Sequence, residues 1–413
     1  MRAPFMRAAL AVAGLSAALI TCTPEETAMS RSAEDGAVPE APLVVYVGTY
    51  TDGDSRGIYR FTLDPGSGAA SDPVLAAVAE NPSFLALHPN GRFLYAVGEG
   101  DDFGGEKTGA VSAFAVDPTS GDLTLLNQQP SMGTGPCHLV VDGSGRSVVV
   151  ANYGSGTVAV LPVAEDGRLG EPSSVQSHEG TGPNESRQAG PHAHGIALDR
   201  AGRRAFAADL GADRVFVYDL DAAAGTLAPS DPPAVALEPG SGPRHVVFDP
   251  SGAHLFAINE LDSTVTALRY DASSGDLQAV QTITTLPTGF EGESWTAEIA
   301  VSPDGRFVYG SNRGHDSLAV FSADASSGRL TPVDHVPTGG HWPRHFSIDA
   351  SGRWLLAANQ RSGSVVVFRL DPDSGMPSAV GEPVPVPAPV CVLPVPAAPG
   401  GARPGVGGRD DRD

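Results

Sequence analysis

Histidine, arginine and glutamate recur at equivalent places in segments far apart along this 413-residue chain. His138, His245, Glu298 and His345 each stand third in a short run, within PCH, PRH, TAE and PRH. Arg244 and Arg344 stand one position earlier, and His194 takes that earlier place in a further copy, two residues after His192. A second set closes another family of apolar runs: Asn152-Tyr153, Asp209-Leu210, Asn259-Glu260, Asn312-Arg313 and Asn359-Gln360. These residue types share a chemistry. A guanidinium binds carboxylate or phosphate through paired hydrogen bonds and can stabilise an oxyanion. Imidazole exchanges protons near neutrality. Gathered around one opening, the set suits an anionic, carbonyl-containing substrate.

Each position also has a structural reading. A histidine at a strand opening can hold a loop, which applies to His245 and His345. Arg244 and Arg344 can form ion pairs between repeats. The Asn and Asp of the second set can satisfy backbone groups of the following turn. Glu260 and Arg313 differ from their counterparts, so a shared turn role does not account for them. His192 and His194 form an H-x-H pair, but no third ligand stands at a familiar zinc spacing, so neither a metal nor a cofactor is expected.

The elements that position these residues follow from an internal repeat. The turns HPNGRF, DGSGRS, DRAGRR, DPSGAH, SPDGRF and DASGRW begin at His88, Asp142, Asp199, Asp249, Ser302 and Asp349, spacings of 47 to 57 residues. A short apolar run such as PSFLAL or PRHVVF precedes each turn, a second run such as FLYAVGE or FVYGSNR follows it, and a third, such as AVSAFAV or SLAVFSA, comes next. That spacing suits one four-stranded blade per repeat. VVYVGTY (Val44 to Tyr50) is a seventh second strand with no partner before it, and PVCVLPV (Pro389 to Val395) supplies the partner from the other end. The reading is an all-β, seven-bladed β-propeller, four strands per blade, its ring closed by N- and C-terminal strands in one blade.

Residues 1–22 read as a signal peptide, with Arg2 and Arg7 before a short apolar run,. Leu19-Ile20-Thr21-Cys22 resembles a lipoprotein signal with Cys22 as the lipidated residue, although Thr21 departs from the usual small residue there. Residues 23–42 read as a flexible linker, 43–395 as the propeller domain and 396–413 as a disordered tail,. An exported protein is expected, touching membrane only through a lipid at Cys22. Cys137 and Cys391 fall in strands of different blades, so buried free thiols are expected. The formal net charge of −22 repels phosphate backbones and excludes nucleic acid as a partner,. A monomer is expected.

Several of these stretches, in order, resemble one family. GPCHLVVDGSG with ANYGSGTVAVL, PHAHGIALD with ADLGADRVFVY, GPRHVVFDPSGAHLFAINEL, and SPDGRFVYGSNRGHDSLAVF are similar to the bacterial 6-phosphogluconolactonase family of propeller lactonases, related to the carboxy-muconate lactonizing enzyme. The resemblance covers Leu43 to Val395. It implies hydrolysis of a small anionic lactone in carbohydrate metabolism, with His194, Arg244, Glu260 and Arg313 carried over as catalytic from PHAHG, GPRH, NEL and SNRG. Substrate contacts are assigned to His138, His192, Asn152, Tyr153, Asp209, His245, Glu298, Arg344, His345 and Asn359. His194 or Glu260 would act as base on water. Histidine is preferred, because neighbouring arginines lower a carboxylate's pKa. Arg244 would stabilise the oxyanion, and Arg313 and Arg344 would hold a phosphate or carboxylate. No serine acyl-enzyme is expected. The resemblance implies cytoplasmic relatives and a cytosolic phosphorylated sugar lactone, so export points to another lactone. A muconate-type cycloisomerase and a non-catalytic exported binding or surface propeller are the alternatives.

Overall fold

A computed structural model describes residues 41–396 of the chain. The signal-peptide and lipidation expectations, and the tail from residue 397, lie outside the described residues. The described chain contains 28 strands in seven antiparallel sheets of four. Each sheet is one blade of a seven-bladed propeller. In blades 2 to 7 the strands run from the axis outward in chain order. Blade 1 takes Leu43–Thr49, Gly57–Leu63 and Val74–Val78 from the N-terminal side and its innermost strand, Pro389–Pro396, from the C-terminal side. The closing pair is antiparallel, with Val45 opposite Pro394 and Val47 opposite Val392.

The repeated turns explain the repeated sequence. At the first Asp of four turns, one carboxylate oxygen accepts the backbone N–H groups four and five residues on. Asp142 takes Arg146 and Ser147 at 2.7 Å each, and Asp349 takes Arg353 at 3.0 Å and Trp354 at 2.8 Å. Asp199 and Asp249 do the same. The carboxylate thus closes the turn that reverses inner strand into second strand.

Apolar residues alternate along the second and third strands and pack between blades. Seven buried clusters form, one for each seam between neighbouring blades. Val149, Ala151, Val158 and Val160 of blade 3, for example, meet Ala205, Ala207 and Tyr218 of blade 4. Polar tips cross some seams as well: the buried hydroxyls of Tyr46, Tyr95 and Tyr309 donate to the carbonyls of Gly121, Gly167 and Gly375 in the next blade. At the closing seam the corresponding bond comes from Trp354, whose Nε1 donates to Pro65 O at 3.0 Å. The indole lies over Gly68, where an added Cβ would fall 2.4 Å from the ring and φ is +76°. Only glycine meets both demands.

Replacing Trp354 with Ala opens a cavity at the seam that joins blade 7 to blade 1. The expected loss is about 3–5 kcal/mol, read as a lower urea midpoint at constant slope. An unchanged midpoint would mean that this seam is not limiting.

Candidate active site

One backbone feature, repeated around the ring, sets the site. Near the start of six inner strands the pairing with the second strand slips by a residue or more: between Pro136 and His138, Ala193 and Gly195, Pro243 and His245, Thr296 and Ile299, Pro343 and His345, and at Val390 in the closing strand. A strand without a bulge sends successive side chains to opposite faces, whereas a bulge lets two in a row face one way. Two stacked rings result. Ser83, Cys137, Arg244, Arg344 and Val390, from five different blades, converge on one recess. Beneath them Phe84, His138, His245 and His345 touch ring to ring across the axis, 4.0 to 5.9 Å between centroids. His194 belongs to the upper ring, its Nδ1 3.6 Å from Cys137 Sγ and its ring 5.1 Å from His245.

The second strands end at the same level and add a third ring. Its centre is Glu260, only 5% exposed. One oxygen lies 2.8 Å from Arg313 Nη2 and 3.2 Å from Arg244 Nε, and the other accepts Arg187 Nη2 at 2.6 Å. The Arg244 contact is an ion pair without hydrogen-bond alignment, since Arg244 Nε has no such partner. Burial opposes ionisation of Glu260, but Arg313, Arg244 and Arg187 outweigh it and hold the carboxyl down to about 2,. Backbone carbonyls fix the arginines: Arg244 Nη1 donates to Ala297 O at 2.6 Å, and Arg313 Nη2 to Thr296 O at 2.7 Å.

The lower ring holds Arg244 from beneath. Guanidinium only donates, so His245 Nε2, 3.1 Å from Arg244 Nη1, accepts, and His245 Nδ1–H points to Glu298 at 3.0 Å,. His345 Nδ1 accepts Val392 N–H, which leaves Nε2–H facing the same Glu298 oxygen at 3.2 Å. His138 Nδ1 accepts from Ile196 N. Burial, followed by neighbouring cations and imidazoles, pushes His138, His194 and His245 well below the usual imidazole range. Burial also brings His345 to about 4 against the pull of Glu298, whose own carboxyl burial pushes up. These imidazoles are neutral at pH 7.

Of the four residues expected to be catalytic, Arg244, Glu260 and Arg313 are in direct contact, and His194 lies on the same side of the axis beside Cys137 and His245. Tyr153 and His192 join them at the rim. Their rings stack at 4.5 Å, Tyr153 lies 5.5 Å from His194, and its hydroxyl accepts Arg187 Nη2 at 3.2 Å. His192 is bound to Tyr153 O through Nδ1 and does not share a ligand set with His194. Among the described residues no cluster of three His, Cys, Asp or Glu has metal-binding geometry.

Three of the expected substrate contacts are engaged away from the channel mouth. Asn152, Asp209 and Asn359 have no exposed surface. Asn152 and Asn359 donate to the carbonyls of Ser131 and Thr338, and Asp209 binds His178 Nδ1 and the N–H groups of His192 and Ala212. They brace the loops that lead into the inner strands of their own blades, and only Asp209, through Ala212 N–H, also serves the turn that follows it. Sequence reasoning also passed over a G-x-S-x-G string, Gly53 to Gly57. Its Ser55 is buried and bonded to Thr49 Oγ1 and Gly57 N, with no histidine beside it, so the string is not a nucleophile turn,.

Three polar residues at the mouth were missed. Arg187 sits in the longest insertion between strands, Ser177 to Ala193, and nothing in its local sequence marks it. Tyr50 and Glu99 stand at the same strand end as Glu260 and Arg313, so the repeat register does mark them. Arg344 Nη2 donates to Tyr50 Oη at 2.7 Å, and that hydroxyl donates to Glu99 at 3.0 Å. Cys137 and Cys391 are free and buried, and burial raises both thiols, so neither is a thiolate nucleophile,.

Residues 44–394 match the protein family described as "Lactonase, 7-bladed beta-propeller". The 6-phosphogluconolactonase of Bacillus subtilis (strain 168) is 42% identical over 72% of this chain and 82% of its own length. That of Formosa agariphila is 36% identical over 72% and 83%. The structure of the Pseudomonas aeruginosa periplasmic gluconolactonase superposes with a TM-score of 0.81 at 35% identity, covering 86% of this chain and all of that one.

Glu260 links this site to stability. Its folded pKa of about 2 lies below the ordinary 4.5, so its contribution is complete above pH 4.5 and lost as pH falls toward 2,. The linkage amounts to about 3 kcal/mol. E260Q leaves Arg244 and Arg313 buried without a carboxylate and is expected to cost about 3–5 kcal/mol at pH 7. Urea midpoints of the two proteins should converge as pH is lowered from 6 to 3. A gap independent of pH would contradict this account.

Proposed function

Since the chain belongs to the seven-bladed β-propeller lactonase family, we propose that it hydrolyses a sugar lactone at the channel mouth through the residues described above. The Bacillus and Pseudomonas relatives are named for that reaction on phosphorylated and plain gluconolactone, and neither a cycloisomerase nor a scaffold is favoured beside them. The observation that carries the reading is the charge of the mouth. Among the described residues Arg187, Arg244, Arg313 and Arg344 face Glu99 and Glu260 there, with Glu298 in the layer beneath, an excess of positive charge on a chain of net charge −22. Such a local field collects an anionic substrate that the rest of the surface repels.

In the proposed reaction a water oxygen bonds to the lactone carbonyl carbon, and charge develops on the carbonyl oxygen. The ring C–O bond then breaks, and the departing ring oxygen takes up the proton that the water released. Arg244 is suited to the oxyanion, because Ala297 O and His245 fix its guanidinium in place,. Glu260 is a poor base at a pKa of about 2 and serves instead to orient three arginines,. His194, whose basicity burial also lowers, is neutral, carries no ion pair and has no hydrogen bond at Nε2 among the described residues, so it rather than Glu260 is free to accept the water proton. Arg187 stands at the rim for a phosphate or carboxylate. Finer assignment as a carboxylic-ester hydrolase acting on the phosphorylated lactone belongs to this proposal, as does an exported location, which would favour a plain lactone.

Acid release from 6-phosphoglucono- and glucono-δ-lactone, measured above the spontaneous rate, tests the reading. R244A is expected to lower kcat by roughly a hundredfold or more and H194A by about 10²- to 10⁴-fold. Turnover unchanged in both variants would remove these residues from the reaction.

A further inference from the structure

Across the mouth from Glu260 lies a second polar group that the reaction above does not use. Glu99 directly follows the second strand of blade 2, Tyr50 follows that of blade 1, and Arg344 lies near the start of the inner strand of blade 7. Arg344 Nη2 donates to the Tyr50 hydroxyl at 2.7 Å, and the hydroxyl donates to Glu99 at 3.0 Å from either oxygen. Ser83 Oγ also donates to Glu99. Unlike Arg187, Arg244 and Arg313, Arg344 has no carboxylate in contact among the described residues, and its one hydrogen bond leaves further N–H groups unused. Glu99 likewise keeps acceptor capacity beyond its two hydroxyl donors.

Ser83, Glu99, Cys137, Arg244 and Arg344 border a recess with room for a single oxygen-sized group,. One flank donates hydrogen bonds and the other accepts them. A phosphate, carboxylate or carbonyl oxygen only accepts, and Glu99 would repel it. A hydroxyl donates and accepts at once, and the Tyr50 hydroxyl already occupies this relation between the same two side chains. We propose that Glu99 and Arg344 form a hydroxyl-recognition subsite, so that the protein selects polyhydroxylated lactones over lactones of the same ring size without hydroxyls. The inference rests on the lactonase reading and adds Glu99 as its specificity-determining residue. Discrimination arises because an analogue lacking the hydroxyl leaves buried polar groups unpaired.

The test compares glucono-δ-lactone with δ-valerolactone, using the full chain, E99A and S83A. The wild type should favour the hydroxylated substrate in kcat/KM by roughly a hundredfold or more, mainly through KM. E99A should reduce that preference to within about tenfold, and S83A should shift it the same way by less. S83A also stands in as the test if E99A does not fold. A preference unchanged in the variants overturns the proposal. So does an equal loss of kcat on both substrates, which would make Glu99 a holder of the attacking water. If the wild type opens neither lactone, the lactonase reading fails, and calorimetric titration with gluconate and 5-hydroxypentanoate decides the subsite separately. Tighter binding of gluconate that E99A abolishes supports it, and equal binding of the two acids refutes it.

Discussion

The mouth of this channel depends on the antiparallel pairing of Leu43–Thr49 with Pro389–Pro396. A sheet built only from Leu43 to Val78 would present an open inner edge, and blades 1 and 7 would have no common seam. With the C-terminal strand in place, Val45, Phe61 and Leu63 pack on Trp354, Leu356 and Val367, and the ring closes. Closure also has a chemical consequence. It brings Tyr50 within 2.7 Å of Arg344, residues 294 positions apart, and carries Val392 N–H to His345. The side of the mouth that holds Glu99 therefore exists only in the closed ring.

Within the ring, the repeated bulge converts a sheet edge into a charged well. It places Arg244 and His245, and likewise Arg344 and His345, on the axis as consecutive residues, with the cation above and the imidazole below. The lower layer is neutral and the upper layer charged, and this order follows from burial. Imidazoles can shed their proton when desolvated, whereas guanidinium stays charged and needs partners. Glu260 supplies a shared partner for Arg187, Arg244 and Arg313, and Glu298 orients His245 and His345 beneath them. Arg244 is thus held from both sides, a preorganisation that suits a group meant to meet developing charge.

The distribution of charge separates the roles of surface and site. Most acidic residues lie on the outer surface or in turns such as those of Asp117, Asp271, Asp324 and Asp371, where backbone and serine donors hold the carboxyls below their ordinary range. The guanidiniums at the mouth face inward instead. The net charge of −22 repels anions from the molecule as a whole, whereas the mouth presents guanidinium,.

Much of this was determined by the sequence alone, because turns and strand periodicity are local. The Asp-Gly turns at Asp142, Asp199, Asp249 and Asp349, the alternation in runs such as SVVVAN, and the unpartnered strands at the two ends were enough for seven blades and their closure. The register of the repeat likewise put His138, His194, Arg244, His245, Glu298, Arg344 and His345 at the axis, with Glu260 and Arg313 at the strand ends. Tertiary structure alone decided what each residue touches. Asn152, Asp209 and Asn359 face loops that only the neighbouring blade provides, one position before the register that Glu260 and Arg313 occupy. Glu99 and Tyr50 occupy that register too, yet their worth depends on Arg344 arriving from across the closing seam. Arg187 comes from an insertion with no repeat to mark it. A linear pattern carries the direction of a side chain along its own strand. Its partner across the axis is set by the curvature of the closed ring, which no single segment contains.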